Sequence, residues 1–536
     1  MQMIDVKQVE LIRRRLKRTW LPFFTRFGRL TPVQVETIPK ILDGANVVVA
    51  SPTASGKTEA VVAPVAERFA AEGWRGLAIL YIVPTRALAN DTLERIEGPL
   101  EDMGITAALK HGDKPSLPRG QLPNCLITTP ESLDSLICRR SHAFGTLRAV
   151  ILDEIHLLDN TYRGDQLRLL LWRLRKLTSL KPQASDGNFS IHLLSATLSE
   201  PDQIAQRYIS PSPYEVIAVE GGREIDYCIL DSYEEVYHLA RKRGWRKVLA
   251  FCNLRESVET VAAILAPLWQ PYPVVTHHGS LSRTVREEAE TVMKEAGVGV
   301  CVATSTLEIG IDIGDIDLIL LAEPPRSLSA LLQRIGRGNR RKGLIHAVAV
   351  VNAVEEKHLL EAMFETADSG VLPAEFYAPD LSVAVQQILS YLYQNPKGAP
   401  ETEFLELLSP LCPSREARRI LRNLRQRSWI ESRLGHWLAS SRLMDFGEKG
   451  HIHSNIPDSQ TYKVLDIASG GEIGTISGVF DDVFILAQSA WQIVSQAGDI
   501  IRARRFQGTA SAPVFQRHKN AGAFHSLLPS DLKGVG

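Results

Sequence analysis

The sequence predicts an α/β protein: two successive parallel-sheet domains, then a winged-helix domain and a small β-rich, barrel-like domain. Three observations carry this. Short apolar runs alternate with helical patterns through the first 210 residues, the signature of a parallel sheet covered on both faces. The alternation restarts near Glu224. After about Val371 it gives way to three helices with a β-pair, and then to short turn-rich runs. The expected domains are 1–212, 223–370, 371–443 and 444–536, with a basic helix at the start of the first.

In the first domain the candidate strands are Asn46–Ala50, Leu77–Val83, Asn124–Thr128, Ala149–Leu152 and Ser190–Leu194. Residues 210–222 form the expected joint. The second domain offers Lys247–Cys252, Val274–His277, Val298–Ala303, Ile316–Leu321 and Ile345–Val351. Next come a helix over Leu381–Gln394, a second opened by Pro400-Glu401-Thr402, and a third capped by Ser414 in SREARRILRNLRQRSWI. The stretch ESRLGHWLAS reads as a strand pair, which completes a winged-helix pattern. The runs YKVLDI, GEIGTISGVF, VFILAQSAWQIV and DIIRARRF predict the β-rich domain.

Composition narrows the class. At roughly 150 residues per domain, 536 residues suit three or four domains. The 44% hydrophobic and 23% charged contents are ordinary for globular chains. Lys and Arg number 61, as do Asp and Glu, so a basic groove would have to be local. Six cysteines at long, irregular gaps, none in a CxxC pair, give no zinc pattern and suit a reducing compartment. The first twenty residues have no apolar core of signal-peptide type, and no run approaches the ~20 apolar residues of a membrane span. The expectation is a soluble, cytoplasmic protein.

Chemistry concentrates at strand ends. VVVASPTASGKTEA, Val47–Ala60, sets a loop between a buried strand and a helix. It approximates the phosphate-loop pattern G-x-x-x-x-G-K-[ST], with Ser51 at the first glycine position. Backbone N–H groups and a helix N-terminus would face the anion. Thr53, Ser55 and Gly56 would cradle phosphate, Lys57 would neutralise its charge, and Thr58 would hold Mg²⁺. In AVILDEIHLLDN, Asp153 would hold Mg²⁺ and Glu154 would orient or deprotonate the attacking water. Ser195-Ala196-Thr197 ends another strand and suggests a relay, with His156, between the ATP site and the substrate. In the second domain Gln333, Arg334, Arg337 and Arg340 recur at helical spacings, suiting either a γ-phosphate or a nucleic-acid backbone. Thr304, Gly310 and Asp312 follow a strand, and Asp312 could bond ribose hydroxyls.

This ordered set resembles a superfamily 2 DEAD/DEAH-type helicase. It comprises Thr31-Pro32-Val33-Gln34, SPTASGKT, Pro84–Ala89 (PTRALA), Thr129–Ser132 (TPES), DEIH, SAT, the Thr304–Asp312 stretch and QRIGRGNRR, over about residues 20–345. The resemblance implies two RecA-like domains with nucleotide in the cleft between them. It implies that Gln34 reads adenine and that Gln333, Arg337 and Arg340 reach the γ-phosphate. Pro84, Thr85, Arg86, Thr129, Pro130 and Thr304 would touch the single strand. His111-Gly112-Asp113 and the run His277–Leu281 fit strand-contacting loops of the family rather than metal sites.

Arg163-Gly164 after the acidic motif resembles the Lhr-like (large helicase-related) and Ski-like branches, and the winged helix before a β-rich domain resembles the Lhr-like one. That implies ATP- and Mg²⁺-dependent 3′–5′ translocation on single-stranded DNA. A Ski-like RNA remodeller is one alternative. Another is an ATPase subunit that switches a partner without unwinding. The chain is shorter than the usual Lhr core, so a protein partner is expected to add surface, such as a nuclease or a genome-maintenance or defence factor. Arg415, Arg418, Arg422 and Arg425 fall on one face of the third helix, which reads as either a solvated face or a phosphate-contacting one through Arg418 and Arg422. Trp429 and Trp437 read as either core or base-stacking residues, and Trp491 as core.

Overall fold

The computed structural model describes residues 6–25, 28–52, 55–112, 122–179, 189–196, 200–219, 224–308, 313–338, 344–369, 377–457, 461–477, 482–506 and 522–533. They fall into two compact units. One comprises Met1–Glu220, Ala374–Pro457 and Lys519–Gly536; the other comprises Gly221–Pro373 and Asp458–His518.

The first unit is built on a parallel sheet of β1 (Asn46–Ala50), β2 (Ile79–Ile82), β3 (Ala107–Lys110), β4 (Cys125–Thr128), β5 (Ala149–Leu152), β6 (Ser190–Ser195) and β7 (Tyr214–Ala218). Their spatial order is β3-β4-β2-β5-β6-β1-β7. The central strands are buried along their whole length, as expected of strands covered on both faces. The stretch expected as a joint, 210–222, instead contains β7, which pairs with β1 from Asn46↔Tyr214 to Ala50↔Ala218. In that strand only Ile217 is buried, so the sequence carries little strand signal there.

The second unit holds β8 (Glu224–Leu230), β9 (Lys247–Phe251), β10 (Val274–His277), β11 (Gly299–Ala303), β12 (Leu318–Leu321) and β13 (Leu344–Val350), in the order β10-β11-β9-β12-β13-β8. All pairings within this six-stranded sheet are parallel.

The winged-helix part lies in the first unit. Its helices are Ser382–Gln394, Glu401–Leu408 and Ser414–Gln426, beside an antiparallel sheet of β14 (Ala399–Pro400), β15 (Ile430–Arg433) and β16 (His436–Ala439). The third helix starts one residue earlier than expected: Pro413 is the N-cap and Ser414, the expected cap, is already helical. It ends at Gln426, because Ser428 takes φ 58° and turns the chain into β15. Ala417, Ile420, Leu421 and Leu424 form its buried stripe, packed in one core with Leu169, Val385, Ile388 and Phe524.

The β-rich part belongs to the second unit. It is a five-stranded sheet of β17 (Thr461–Asp466), β18 (Glu472–Ser477), β19 (Val483–Leu486), β20 (Ser489–Ala497) and β21 (Ile500–Arg505), in the order β18-β17-β21-β20-β19. It is mixed: β17 and β21 run parallel, and the other pairs are antiparallel. Leu281 and Val285 fill its concave core with Phe484 and Trp491. No helix of the described residues is long and apolar enough to cross a membrane.

Candidate ATP site

The first sheet gathers its chemistry at the carboxyl ends of β1, β5 and β6, which lie side by side, where ligands of open α/β sheets bind. After β1, Gly56 takes φ 86°, and Lys57–Ala71 form the helix it opens. A Cβ on Gly56 would run into the Gln34 amide, so only glycine fits both the turn and the packing. Ser51, at the position of the missing glycine, is nearly fully buried, and its Oγ lies 2.7 Å from Ser55 Oγ. The Lys57 ammonium donates to the Ser51 carbonyl at 2.7 Å, which folds the loop over its own cation.

Gln34 sits at the third position of the helix Pro32–Leu42. Its Oε1 accepts from the Thr31 N–H at 2.9 Å, and its Nε2 donates to the Gly56 carbonyl at 3.3 Å. One side chain thus caps its own helix and ties it to the phosphate loop.

After β5, Asp153 is buried and Glu154 takes the left-handed conformation, φ 46°. Burial, then the neighbouring charge of Glu154, raises the Asp153 carboxyl to about 6, with the Tyr81 hydrogen bond and Lys57 pulling the other way. Oδ1 of Asp153 accepts from the Glu154 N–H at 2.9 Å, and Oδ2 accepts from the Tyr81 hydroxyl at 2.6 Å. His156 Nδ1 lies 2.8 Å from Ser195 Oγ and 3.5 Å from Glu154 Oε2. Burial lowers this imidazole to about 4, so it is neutral at neutral pH. The proton on Nδ1 therefore decides which partner the ring serves: with it the ring can donate to Glu154, and without it the ring accepts from Ser195.

The other expected contacts follow the same edge. Pro84 is buried; Thr85 caps the helix Arg86–Glu101 by accepting from Leu88 N–H at 3.2 Å; Arg86 is exposed and lies over Gly112. Thr129 and Pro130 are buried at the start of the helix Pro130–Arg140. Arg163 pairs with Glu131 in two bonds, of 2.6 and 3.1 Å, and a Cβ on Gly164 would meet the Leu158 carbonyl.

In the second unit Thr304 follows β11 and is buried, its N–H donating to the His277 carbonyl at 3.2 Å. Gln333 is buried on the helix Leu328–Ile335. Helical spacing does not extend to Arg337, because the helix ends at Ile335. Arg337 instead donates to the Glu308 carbonyl from Nε at 2.9 Å and Nη2 at 2.6 Å. Arg334 pairs with the Glu308 carboxylate at 2.6 Å and reaches Asn253, so it braces this loop. Thr53, Thr197, Gly310, Asp312 and Arg340 lie outside the described residues.

On the winged-helix part Arg415, Arg418, Arg422 and Arg425 are exposed, and Arg418 is engaged by Glu401 at 2.8 Å. Trp429, Trp437 and Trp491 are all buried, which removes them as stacking platforms.

Two features carried no sequence signal. Tyr81 hides inside the apolar run of β2. The other is a buried polar cluster around Asp134, which accepts from Gln166 at 3.3 Å, Gln386 at 3.2 Å, Gln387, Ser390 and His453 at 3.1 Å, with Arg173 at 3.6 Å. Burial pushes the Asp134 carboxyl up, but Arg173 and His453 outweigh it and hold the group well below the usual range. Asp134, Cys138 and His453 stand close enough to suggest a metal set. Here the buried Arg173 already supplies the cation.

Comparison with known proteins agrees with this architecture. Residues 31–204 match the family model "DEAD/DEAH box helicase", and residues 231–342 match "Helicase conserved C-terminal domain"; together they span more than half of the chain. Both halves of a nucleic-acid-dependent ATPase core are therefore present. The chain is 26% identical to the ATP-dependent helicase Lhr-Core of Sulfolobus acidocaldarius, over 95% of this chain and 63% of that one. It is 33% identical to that of Methanothermobacter thermautotrophicus, over 70% and 48%. The chain thus spans less than two thirds of the length of these relatives. The structure of Mycobacterium smegmatis helicase Lhr bound to ssDNA and AMP-PNP superposes with a TM-score of 0.69 at 25% identity, covering 82% of this chain and 62% of that one. The helicase MrfA bound to DNA shares the fold with a TM-score of 0.73 at 19% identity, covering 92% and 69%. By motif order, family match and fold, the chain belongs to the superfamily 2 DEAD/DEAH-type helicases, in their Lhr-like branch.

Proposed function

We propose that the chain is an ATP- and Mg²⁺-dependent translocase that moves 3′ to 5′ on single-stranded DNA in the cytoplasm, with a nuclease or a genome-maintenance or defence factor as partner. The observation that carries the reading is the convergence of Lys57, Asp153, Glu154, His156 and Ser195 on one sheet edge. The choice of DNA draws on the mycobacterial relative, which was solved with ssDNA. The direction draws on the Lhr-like branch.

The residues fit Mg²⁺. Asp153 and Glu154 are adjacent acids, and burial, then the charge of Glu154, raises the buried one to about 6. Such hard oxygen donors suit a hard divalent cation, which Asp153 and the Thr58 hydroxyl would hold. When bound, the ion neutralises charge on the phosphate oxygens. Lys57 would exchange the Ser51 carbonyl for phosphate oxygens, and Thr53, Ser55 and Gly56 would cradle them. Glu154 would orient and deprotonate the attacking water, its left-handed backbone fixing where the carboxylate points. His156, Ser195 and Thr197 would pass the state of Glu154 to the strand-contacting turns.

Gln34 would read the adenine edge, and Gly310 and Asp312 the ribose. Gln333, Arg337 and Arg340 would stabilise transition-state charge, for which Arg337 must leave the Glu308 carbonyl. Pro84, Thr85, Arg86, Thr129, Pro130 and Thr304 would line the strand, with Arg418 and Arg422 adding phosphate contacts.

Steady-state ATPase with single-stranded DNA, single-stranded RNA and duplex tests the reading. Stimulation by single-stranded DNA, with unwinding from 3′ tails only, is the expected result. Selective stimulation by RNA would move the assignment to an RNA remodeller. A flat response would indicate a partner-dependent switch. Lys57→Ala is expected to abolish turnover and leave strand binding intact, and retained turnover would refute the site.

A further inference from the structure

We propose that Tyr81 is the positioning residue of the metal–nucleotide site: its phenol fixes the Asp153 carboxylate in the orientation that faces Thr58. The inference rests on the ATPase reading above and deepens it.

Tyr81 stands on β2, which pairs with β5 so that Tyr81 lies opposite Ile151 and Ile82 opposite Leu152, the last residue before Asp153. The tyrosine is fully buried. Its hydroxyl donates to Asp153 Oδ2 at 2.6 Å, while Oδ1 of the same carboxylate takes the Glu154 N–H at 2.9 Å. Both oxygens are thus held, one by a side chain and one by the backbone, and the carboxylate cannot rotate without breaking a bond. The Thr58 side chain is a second polar neighbour of the same phenol. The buried hydroxyl therefore bonds one of the residues assigned to the ion and neighbours the other.

Packing alone does not ask for a tyrosine. Its neighbours on β2 are Ile79, Leu80 and Ile82, so the strand is otherwise apolar. The hydroxyl adds only the bond to Asp153 and the approach to Thr58. Arg95, on the helix that follows, bonds Glu59 at 3.3 Å, and its charge reaches both Tyr81 and Asp153. Partners that orient a metal-binding carboxylate typically change metal affinity by about 10–100-fold when removed.

Tyr81→Phe tests this by binding rather than turnover. A fluorescent ADP analogue is titrated at increasing Mg²⁺ and again in excess EDTA. The expected result is a rise of about tenfold in the Mg²⁺ midpoint with the Mg²⁺-free affinity unchanged. An unchanged midpoint in a variant that binds the Mg²⁺-free analogue normally overturns the inference and leaves the ATPase reading standing. If the wild type shows no Mg²⁺-dependent binding, the ATPase reading falls and the inference with it. A second measurement does not depend on how the variant folds. With 3-fluorotyrosine at position 81, the ¹⁹F resonance should move on adding Mg²⁺ to the ADP-bound protein. A resonance indifferent to Mg²⁺ overturns the proposal.

Discussion

Replacing His453 by Asn removes a buried charge while keeping a donor near the position of Nδ1. Burial disfavours the protonated ring, but the hydrogen bond to Asp134, the contact with Cys138 and the Asp134 charge outweigh it and raise the imidazole to about 9. From the ordinary 6.5 that is a rise of about 2.5 pH units, and at about 1.4 kcal/mol per unit the coupling is about 3 kcal/mol. Because the folded value is raised, this stabilisation is complete below pH 6.5 and is lost as pH rises through about 9. The wild type should therefore exceed His453→Asn in thermal midpoint by about 5 °C at pH 6.5, taking roughly 1–2 °C per kcal/mol for a body of this size. The gap should close by about pH 10. Differential scanning fluorimetry of both proteins at half-unit steps isolates the effect, since other titrations cancel in the difference. A gap that stays constant from pH 6.5 to 10 would refute the claim that a protonated His453 is bound to Asp134.

Three further outcomes follow from the same geometry. Gly56→Ala should weaken ADP binding by about tenfold, because a left-handed alanine costs about 1–2 kcal/mol and its methyl displaces Gln34; isothermal titration measures it. Glu259→Ala should destabilise the second unit by about 3 kcal/mol in urea denaturation, since the buried carboxylate accepts from His278 and from the N–H groups of Ala487 and Gln488. Amide exchange at those two residues should rise with it. Arg422→Ala should lower affinity for single-stranded DNA and reduce the salt slope by about 0.7, whereas Arg418→Ala, already engaged by Glu401, should do less. Equal salt slopes in all three proteins would remove the third helix from the interface.

The sequence made legible what is buried on both sides. The strands β1, β2, β4, β5, β9, β11 and β12 are runs with at most one polar residue, at an end, and each was expected within a few residues. The missed strands β3, β7 and β8 all lie at sheet edges, where half-exposed residues blur the pattern. In the site, the phosphate loop and the DEIH acids announce themselves by residue type and spacing. The role of Tyr81 depends on a neighbouring strand 72 residues away in sequence, and Asp134 meets His453 across 319 residues. No local pattern encodes either contact. Arg334 and Arg337 show the reverse error: regular spacing suggested one face, but the helix stops between them and sends the two guanidinium groups to the carboxylate and the carbonyl of Glu308.

The order in which the chain visits its two units bears on how it is made. The first unit is left at Glu220, rejoined at Ala374, left again at Pro457 and rejoined at Lys519. Leu169 shares a single core with Val383, Ile388, Phe404, Phe524, Leu528 and Leu532. At about 5–20 residues per second, a ribosome needs roughly 15–60 s to travel from the first departure to Leu532. Until those later segments emerge, the side of the helix Tyr162–Ser179 that carries Leu169 waits without them, while Leu167, Leu170, Leu171 and Leu174 already pack in the core of the first sheet; holding chaperones would have to cover the exposed side. A nascent chain released early should aggregate through this face, while one released after Leu532 should not.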